Sequence, residues 1–256
     1  MLDLKTPATV NLPAITRYQI LEIVTGEHWI PLVSDEPGTY QITQDLTGSR
    51  YAFAMVRTQV NMQDENDLKN AREAQDKIEL VQASQGVYEQ EKEFNRNEIL
   101  SLRAEYNQRR QPEGITSEMI FGKKGEISSE MRNFGVAIGW GGLPKQGAVY
   151  PMPKLTESTD PQRLIMKNVP MEKGSFWSVT VYDENGFSTG KYYNINSAFA
   201  KESEAGEYII NLGGPENQDN FLNVFPGWNA VIRIYSPTKE YFSGSWEVPQ
   251  YEPKNQ

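Results

Sequence analysis

Apolar and polar residues alternate along two stretches in the last third of the chain. In residues 176–183 the apolar side chains Trp177, Val179 and Val181 share one face, because successive side chains of a strand point to opposite sides. Residues 228–235 repeat this alternation, and their apolar face begins with Trp228 as that of the first stretch begins with Trp177. The pattern therefore predicts two strands that bury one large apolar sheet face together.

Shorter stretches elsewhere show the same alternation, with β-branched and aromatic residues bounded by turn signals. The further strands that we predict are residues 9–13, 17–24, 39–43, 50–60, 163–169 and 207–212. Strands therefore dominate both ends of the chain.

The middle of the chain changes to helical spacing. Asp64 is a good N-cap, and the acids Glu65 and Asp67 fall in the first turn, where the helix dipole favours negative charge. Helix capping explains this acidic cluster better than calcium binding, because the glycine and the bidentate acid of a calcium loop are missing. The apolar positions that follow form one stripe: Leu68, Ala71, Ile78 and Val81, up to about Gln82.

Two more helices and a loop complete the middle segment. Residues 87–110 are highly charged with few apolar side chains, which predicts a helix on the surface or against a partner chain. A short helix is predicted from Ser128 to Ile138. The glycine-rich segment 139–144 that follows is expected to be a sharply turning loop.

These elements predict a β-rich α+β fold, with two β-sandwich or jelly-roll-like modules that flank a helical insert. We expect an N-terminal β module at residues 1–62, the insert with its glycine-rich loop at 63–150, and a C-terminal β module at 151–256. A chain of 256 residues is long enough for such cores without staples.

Composition excludes several function classes. The chain has no cysteine, which excludes disulfides and thiolate chemistry. Its net charge of −9 argues against nucleic acid or an anionic membrane surface as a partner. No apolar run approaches the length that a membrane span needs, and Met1 is not followed by a signal peptide. We expect a cytoplasmic protein if Met1 is the natural start, and the compartment is otherwise open.

Short motifs along most of the chain, from about residue 8 to 250, carry a family resemblance by their order and spacing. They include Arg17-Tyr18, Glu27-His28-Trp29, Pro37-Gly38, Val56-Arg57-Thr58-Gln59-Val60, Phe121-Gly122, Gly139-Trp140-Gly141-Gly142-Leu143-Pro144, Phe176-Trp177-Ser178, Gly227-Trp228 and Gly244-Ser245-Trp246. The chain resembles proteins that pair the domains of unknown function 1254 and 1214. This resemblance implies two β-sandwich or jelly-roll-like modules with helices and a homo-oligomer, and it implies no established reaction.

The chain departs from the family pattern at three places. An Asn-Arg-Asp-Thr-type segment before the first strand has no counterpart, and Arg132 stands where the family usually has histidine. An expected Asp-Gly pair is reduced to Glu204-Ala205-Gly206. If the family has an active site that uses these groups, part of it is lost here.

Two arginines and one histidine are candidate ligand-binding residues. Arg57 and Arg233 each lie in an apolar strand, where a guanidinium must be paired or must bind an anion. Its partner is then an acid such as Asp183 or Glu247, or the carboxylate, sulfate or phosphate of a ligand. His28 is the only histidine, which excludes multi-histidine metal sites, so a structural hydrogen bond or a functional proton transfer remain open for it.

Aromatic side chains and one acid complete the candidate set. Trp140, Tyr182 and Tyr235, like Tyr193 and Trp246, are core residues or the walls of a pocket for an apolar or sugar ligand. Asp183 begins a predicted turn next to Glu184, and adjacent side chains point apart, so a catalytic carboxylate pair is not expected. We predict no metal site and no cofactor, and the catalytic residues are unknown.

Two functions fit these residues. The first is an oligomeric, non-catalytic β-sandwich module that binds a small or saccharide-like ligand. The second is an enzyme of the hydrolase or lyase type, in which Arg57 or Arg233 holds a small anionic substrate and Asp183, His28 or a tyrosine carries the proton. Because converging titratable groups are few, the sequence favours the first.

Overall fold

A computed structural model describes residues 1–90, 93–154, 156 and 158–254 of the chain. The fold is β-rich α+β, as predicted. The chain forms two compact units, which we call unit 1 and unit 2. Unit 1 comprises Met1–Gln59 and Arg72–Gly147, and unit 2 comprises Val60–Ala71 and Ala148–Gln256.

Unit 1 contains two antiparallel sheets. Its strands are β1 (Leu2–Asp3), β2 (Ala8–Leu12), β3 (Gln19–Thr25), β4 (Leu32–Ser34), β5 (Gly38–Ile42), β6 (Tyr51–Thr58) and β7 (Glu79–Gln82). One sheet has the order β1-β6-β3-β4 and the other β5-β2-β7. Buried side chains from both sheets, including Val10, Leu21 and Ile23, form one apolar core. Two sheets that share a core form a sandwich.

Five helices accompany the strands of unit 1. They are α1 (Gln44–Thr47), the C-terminal part of α2 (Glu65–Gln75), α3 (Arg96–Arg110), α4 (Ser117–Ile120) and α5 (Ser129–Gly139). Ser128 caps α5 by accepting a hydrogen bond from the Met131 amide, 3.2 Å away, as its sequence position predicts. The α3 helix packs along α5, where the Tyr106 and Phe134 rings lie 4.8 Å apart.

Unit 2 contains two further sheets. Its strands are β8 (Ala148–Val149), β9 (Gln162–Met166), β10 (Trp177–Tyr182), β11 (Asn194–Asn196), β12 (Tyr208–Leu212), β13 (Phe221–Leu222), β14 (Asn229–Tyr235) and β15 (Glu252–Pro253). The sheet orders are β11-β10-β14-β8 and β13-β12-β9-β15, and the short helix α6 (Lys239–Phe242) follows β14. The predicted strands of this region are confirmed. A jelly-roll connectivity stays a prediction.

The two long predicted strands are partners in the core of unit 2. β10 and β14 are antiparallel, with Trp177 opposite Ile234 and Val179 opposite Ile232. These side chains are fully buried, together with residues from the facing sheet such as Leu164. The predicted shared apolar face is therefore confirmed.

The predicted apolar stripe up to Gln82 is wrong beyond Gln75. The α2 helix ends there, and Glu79–Gln82 forms strand β7, which pairs with β2. Backbone hydrogen bonds to an existing sheet edge replace the helical ones, so Val81 is 59% exposed rather than part of a stripe. The capping role of Asp64 is confirmed, because its Oδ1 accepts from the Asn66 amide at 2.9 Å.

The predicted helix at 87–110 is shorter than expected. It begins after Asn95, whose side chain accepts from the Asn97 amide at 2.9 Å. Residues 91 and 92 of the predicted helix lie outside the described residues. None of the residues of α3 is buried, and Leu100 and Leu102 are about half exposed. The position of α3 on the surface is therefore confirmed.

Among the helices of the described ranges, none combines the length and the apolar character that crossing a membrane requires.

The glycine-rich loop 139–144 provides a test of packing in unit 1. A Cβ on Gly142 would overlap the buried Phe121 ring, whereas a Cβ on Gly139 would come no closer than 3.4 Å to it. Neither glycine has a positive φ, so space and not backbone strain decides the outcome. We expect Gly142→Ala to lower the free energy of unfolding by about 1–3 kcal/mol. Urea unfolding measures it, with Gly139→Ala as a matched control that leaves stability nearly unchanged. Equal losses in both variants would contradict the packing argument.

Candidate functional site

The register of β10 and β14 sets polar side chains on the sheet face opposite the core of unit 2. Arg233 lies opposite Ser178, and Val231 lies opposite Thr180. Since residues two apart in a strand point the same way, Tyr182 follows Thr180 on this face. An arginine and two hydroxyl side chains therefore lie together on it.

Hydroxyl groups surround the guanidinium of Arg233. Its Nη1 donates to Thr180 Oγ1 at 3.2 Å, and its Nη2 donates to the Tyr182 hydroxyl at 2.8 Å. The rings of Tyr150 and Tyr182 lie 5.8 and 5.5 Å from the guanidinium carbon. Asn194 Nδ2 also donates to Thr180 Oγ1, at 2.8 Å. We call Arg233, Thr180, Tyr182 and Tyr150 the Arg233 cluster.

The acid that was expected to pair with Arg233 does not do so. In the part of the chain that the structure describes, no carboxylate lies within 4 Å of its guanidinium, so the predicted ion pair with Asp183 or Glu247 is wrong for this residue. Asp183 is engaged elsewhere, because its Oδ1 accepts from the Asn185 and Phe187 amides at 2.9 and 2.8 Å. A carboxylate that closes its own turn is held away from the sheet face.

Tyr235 also has contacts that serve the fold. Its ring stacks on Phe176, with centroids 4.3 Å apart and planes at 15°, and it is buried. Its carbonyl accepts from the Ser175 hydroxyl at 2.6 Å. For Asp183 and Tyr235 a part in ligand binding stays a prediction.

The other predicted arginine, Arg57, has an acidic partner in unit 1. Its Nη1 lies 2.7 Å from Glu22 Oε2, and its Nη2 donates to the carbonyl of Gly141. Glu22 is completely buried, and burial raises the pKa of its carboxyl, against the opposing effect of the Arg57 charge. The ion-pair interpretation of Arg57 is therefore confirmed, with Glu22 as the acid.

His28 binds the same loop residue. Its Nε2 accepts from the Gly141 amide at 2.9 Å, which leaves the proton of a neutral imidazole on Nδ1. Nδ1 has no hydrogen-bond partner among the described residues, and the side chain is 3% exposed. The backbone of His28 has φ +65°, a left-handed conformation that is uncommon outside glycine but that histidine, like asparagine and aspartate, adopts more often than other residues.

Trp140 covers His28 from the same loop. The two ring centroids lie 5.7 Å apart, and Trp140 also packs edge-on against Phe53 at 5.1 Å. It is 49% exposed. Three of the predicted ligand-binding residues, His28, Arg57 and Trp140, thus meet at the glycine-rich loop, whereas Arg233 and Tyr182 form a separate group in unit 2.

Sequence reasoning missed Glu22 and Thr180. Glu22 is the one acid within strand β3, in the run Ile20-Leu21-Glu22-Ile23-Val24, and an acid in such an apolar run signals a buried pair. The alternation in residues 176–183 places Thr180 on the face opposite Val179, but a threonine in a strand gives no signal that distinguishes a partner of an arginine from an ordinary strand residue.

A family model matches one third of the chain. Residues 155–239 match the model described as "Protein of unknown function (DUF1214)". The matched segment contains Thr180, Tyr182 and Arg233. This confirms the part of the resemblance that concerns domain 1214, while the part that concerns domain 1254 stays a prediction. No curated protein matches the chain.

Two solved structures are similar to the chain. The crystal structure of the VPA0106 protein from Vibrio parahaemolyticus has a TM-score of 0.74 at 16% identity, and the match covers 100% of this chain and 87% of that one. An uncharacterised protein from Burkholderia cenocepacia has a TM-score of 0.48 at 10% identity, covering 96% and 72%. At 16% identity, the similarity to the VPA0106 protein shows a shared fold alone.

The environment of His28 predicts a pH dependence of stability. Burial, and secondarily the nearby positive charge of Arg132, lowers the pKa of His28 to about 4. In the unfolded chain its pKa is about 6.5, so between these values the unfolded state binds more protons and stability falls as pH falls. We expect His28 to account for a loss of about 3 kcal/mol from pH 7 to pH 4.

Comparison with His28→Asn isolates this effect from the titration of the carboxyl groups. Asparagine tolerates the left-handed backbone and does not titrate. Urea unfolding of both proteins at several pH values measures the difference in slope. Parallel stability curves for the two proteins would rule out a buried neutral His28.

Proposed function

We propose that the chain is a non-catalytic module that binds a small ligand through an anionic group held by Arg233. The observation that carries the proposal is the set of contacts of this guanidinium, which are hydroxyl groups and aromatic rings and include no carboxylate within the described residues. A half-buried guanidinium without an anion is costly, and its planar fork matches a carboxylate or a phosphate.

The neighbours of Arg233 support the same ligand class. Each hydroxyl that accepts a hydrogen bond from Arg233 keeps its own O–H to donate. The Tyr182 hydroxyl, which is only partly buried, therefore adds a donor beside the guanidinium. The rings of Tyr150 and Tyr182 supply apolar surface next to the charge, which favours a ligand with an apolar or aromatic body over a bare inorganic ion.

Arg57 takes no part in the proposal. Its charge is balanced by Glu22 at 2.7 Å, so an anion gains little there. The proposal keeps Arg233 and Tyr182 from the predicted ligand-binding residues and adds Thr180 and Tyr150.

The second candidate is a hydrolase- or lyase-type enzyme for a small anionic substrate. The observation that favours it is Glu22, a completely buried carboxyl whose pKa is raised by that burial. We place it second because Glu22 is completely buried and Asp183 closes a turn. Turnover of a substrate that is lost in Glu22→Gln would move the assignment to this enzyme.

The module is further proposed to be a homo-oligomer that associates through α3. The apolar side chains Ile99 and Leu102 of this helix are about half exposed. Glu98 and Arg103 have no ion-pair partner among the described residues. They lie five positions apart, which is the spacing that pairs Glu98 of one helix with Arg103 of a second, parallel copy. These two charges support a second copy of the chain as the occupant of this surface.

The anion site is tested by Arg233→Met, which removes the guanidinium and keeps the length of the side chain. Thermal and urea unfolding are measured with phosphate, sulfate and benzoate. A bound anion at about 100 times its Kd adds about 2.7 kcal/mol to the free energy of unfolding. We expect this gain in the wild type and its loss in Arg233→Met.

Arg96→Met is the matched control, because it removes the same charge from an exposed position of α3. It is expected to keep the gain. If none of the three anions stabilises the wild type, or if Arg233→Met gains as much, Arg233 does not bind the anion.

The oligomer is tested by Leu102→Glu, which places a charge on the exposed face of α3. Light scattering on a gel-filtration column is expected to show a dimer or larger species for the wild type and a monomer for this variant. Leu80→Glu, at another exposed apolar position of unit 1, is expected to leave the mass unchanged. A monomeric wild type would overturn the proposal.

A further inference from the structure

A concave surface of unit 2 is lined by none of the residues of the Arg233 cluster. It is a groove of about 420 Å³, lined by residues from the end of β9 and from the segment that follows α6. Its volume falls within the range of small-molecule sites. The residues that matter for its chemistry are Trp246, Asn168, Lys167 and Glu247.

Trp246 gives the groove a fixed aromatic wall. Its Nε1 donates to the Lys167 carbonyl at 3.0 Å, which holds the edge of the indole in place. The ring packs against the core of unit 2 and lies 6.2 Å from the Tyr241 ring, while it also lines the groove. A large aromatic surface that is already ordered costs little entropy when a ligand binds to it.

Polar groups without partners line the groove beside this ring. Within the described residues, the Glu247 carboxylate and the Asn168 amide make no hydrogen bond and no ion pair. Lys167 is mostly exposed and lies 3.6 Å from Glu207, which is a loose surface pair. The groove therefore offers an acceptor, an amide that both donates and accepts, and an ammonium donor.

The backbone holds Asn168 in an unusual conformation. Its φ is +45°, one of few positive values for a non-glycine residue in the described chain. Asparagine accepts this conformation at lower cost than most residues, and glycine accepts it at none. The position of the amide is therefore set by the turn rather than by hydrogen bonds of its side chain.

We propose that this groove binds a saccharide, whose ring stacks on Trp246 and whose hydroxyls bond to Glu247 and Asn168. A sugar ring has an apolar C–H face and a rim of groups that both donate and accept, which matches a flat aromatic wall flanked by polar side chains. The site shares no residue with the Arg233 cluster, so the proposal is independent of the anion site.

Other ligand classes fit the groove less well. A purely apolar ligand would desolvate Glu247 and Lys167 without replacing their hydrogen bonds. A small anion would face the carboxylates of Glu247 and Glu252, both of which line the groove. Grooves for proline-rich peptides use several aromatic side chains, and Trp246 is the one aromatic residue lining this groove.

The test is calorimetric titration of the protein with cellohexaose, maltohexaose, chitohexaose and hexagalacturonate. We expect at least one neutral oligosaccharide to bind. Trp246→Ala is expected to lower the affinity for it by a factor of at least about ten. Trp246→Phe is expected to keep most of the affinity, because it retains an aromatic face. Asn168→Gly keeps the left-handed backbone and removes the amide, so it is expected to weaken binding without lowering the Tm.

Phe187→Ala is the matched control, because Phe187 is an exposed aromatic residue of unit 2 that does not line the groove. It is expected to bind like the wild type. Absence of binding by every neutral probe at millimolar concentration would overturn the proposal, as would binding that survives Trp246→Ala. Binding of a proline-rich peptide but no saccharide would also overturn it. Hexagalacturonate binding that is lost only in Arg233→Met would support the anion site and not this groove.

Discussion

The pairing of β10 with β14 is the constraint on which unit 2 depends. Trp177 opposite Ile234 and Val179 opposite Ile232 place an apolar row in the core. The same register places Thr180, Tyr182 and Arg233 on the other face. Because a slip by one residue would exchange the two faces, the register that buries the core also places these three side chains together on the opposite face. The register of β10 and β14 therefore determines both the burial of the core of unit 2 and the geometry of the candidate site.

Much of this arrangement was predictable from periodicity alone. The strands, the shared apolar face, the cap at Asp64 and the surface position of α3 follow from side-chain spacing and local hydrogen bonding, which act over a few residues. The end of α2 was not predictable in this way. The pattern of residues 79–82 is compatible with a helix or with a strand. This segment forms a strand because it pairs with the free edge of β2, about 70 residues earlier in the chain.

The partners of the two arginines show where sequence reasoning ends. Both lie in apolar strands and both were expected to meet an acid, yet Arg57 meets Glu22 and Arg233 meets hydroxyl groups. What differs is the strand that lies opposite in the sheet, which carries an acid in one unit and a threonine and a tyrosine in the other. Alternation gives the face of a side chain, but only the register between distant strands gives its partner.

The glycine-rich loop of unit 1 is held through main-chain atoms. Gly141 donates its amide to His28 and accepts from Arg57 at its carbonyl, so both of its hydrogen-bonding groups are used. Its own φ is +72°, and a Cβ there would meet the end of Met55. Replacing Gly141 would therefore disturb two side chains at once, and replacing either of them would leave a main-chain group of the loop unpaired. The histidine, the arginine and the glycine therefore form one structural unit, although His28 and Gly141 are 113 positions apart in the chain.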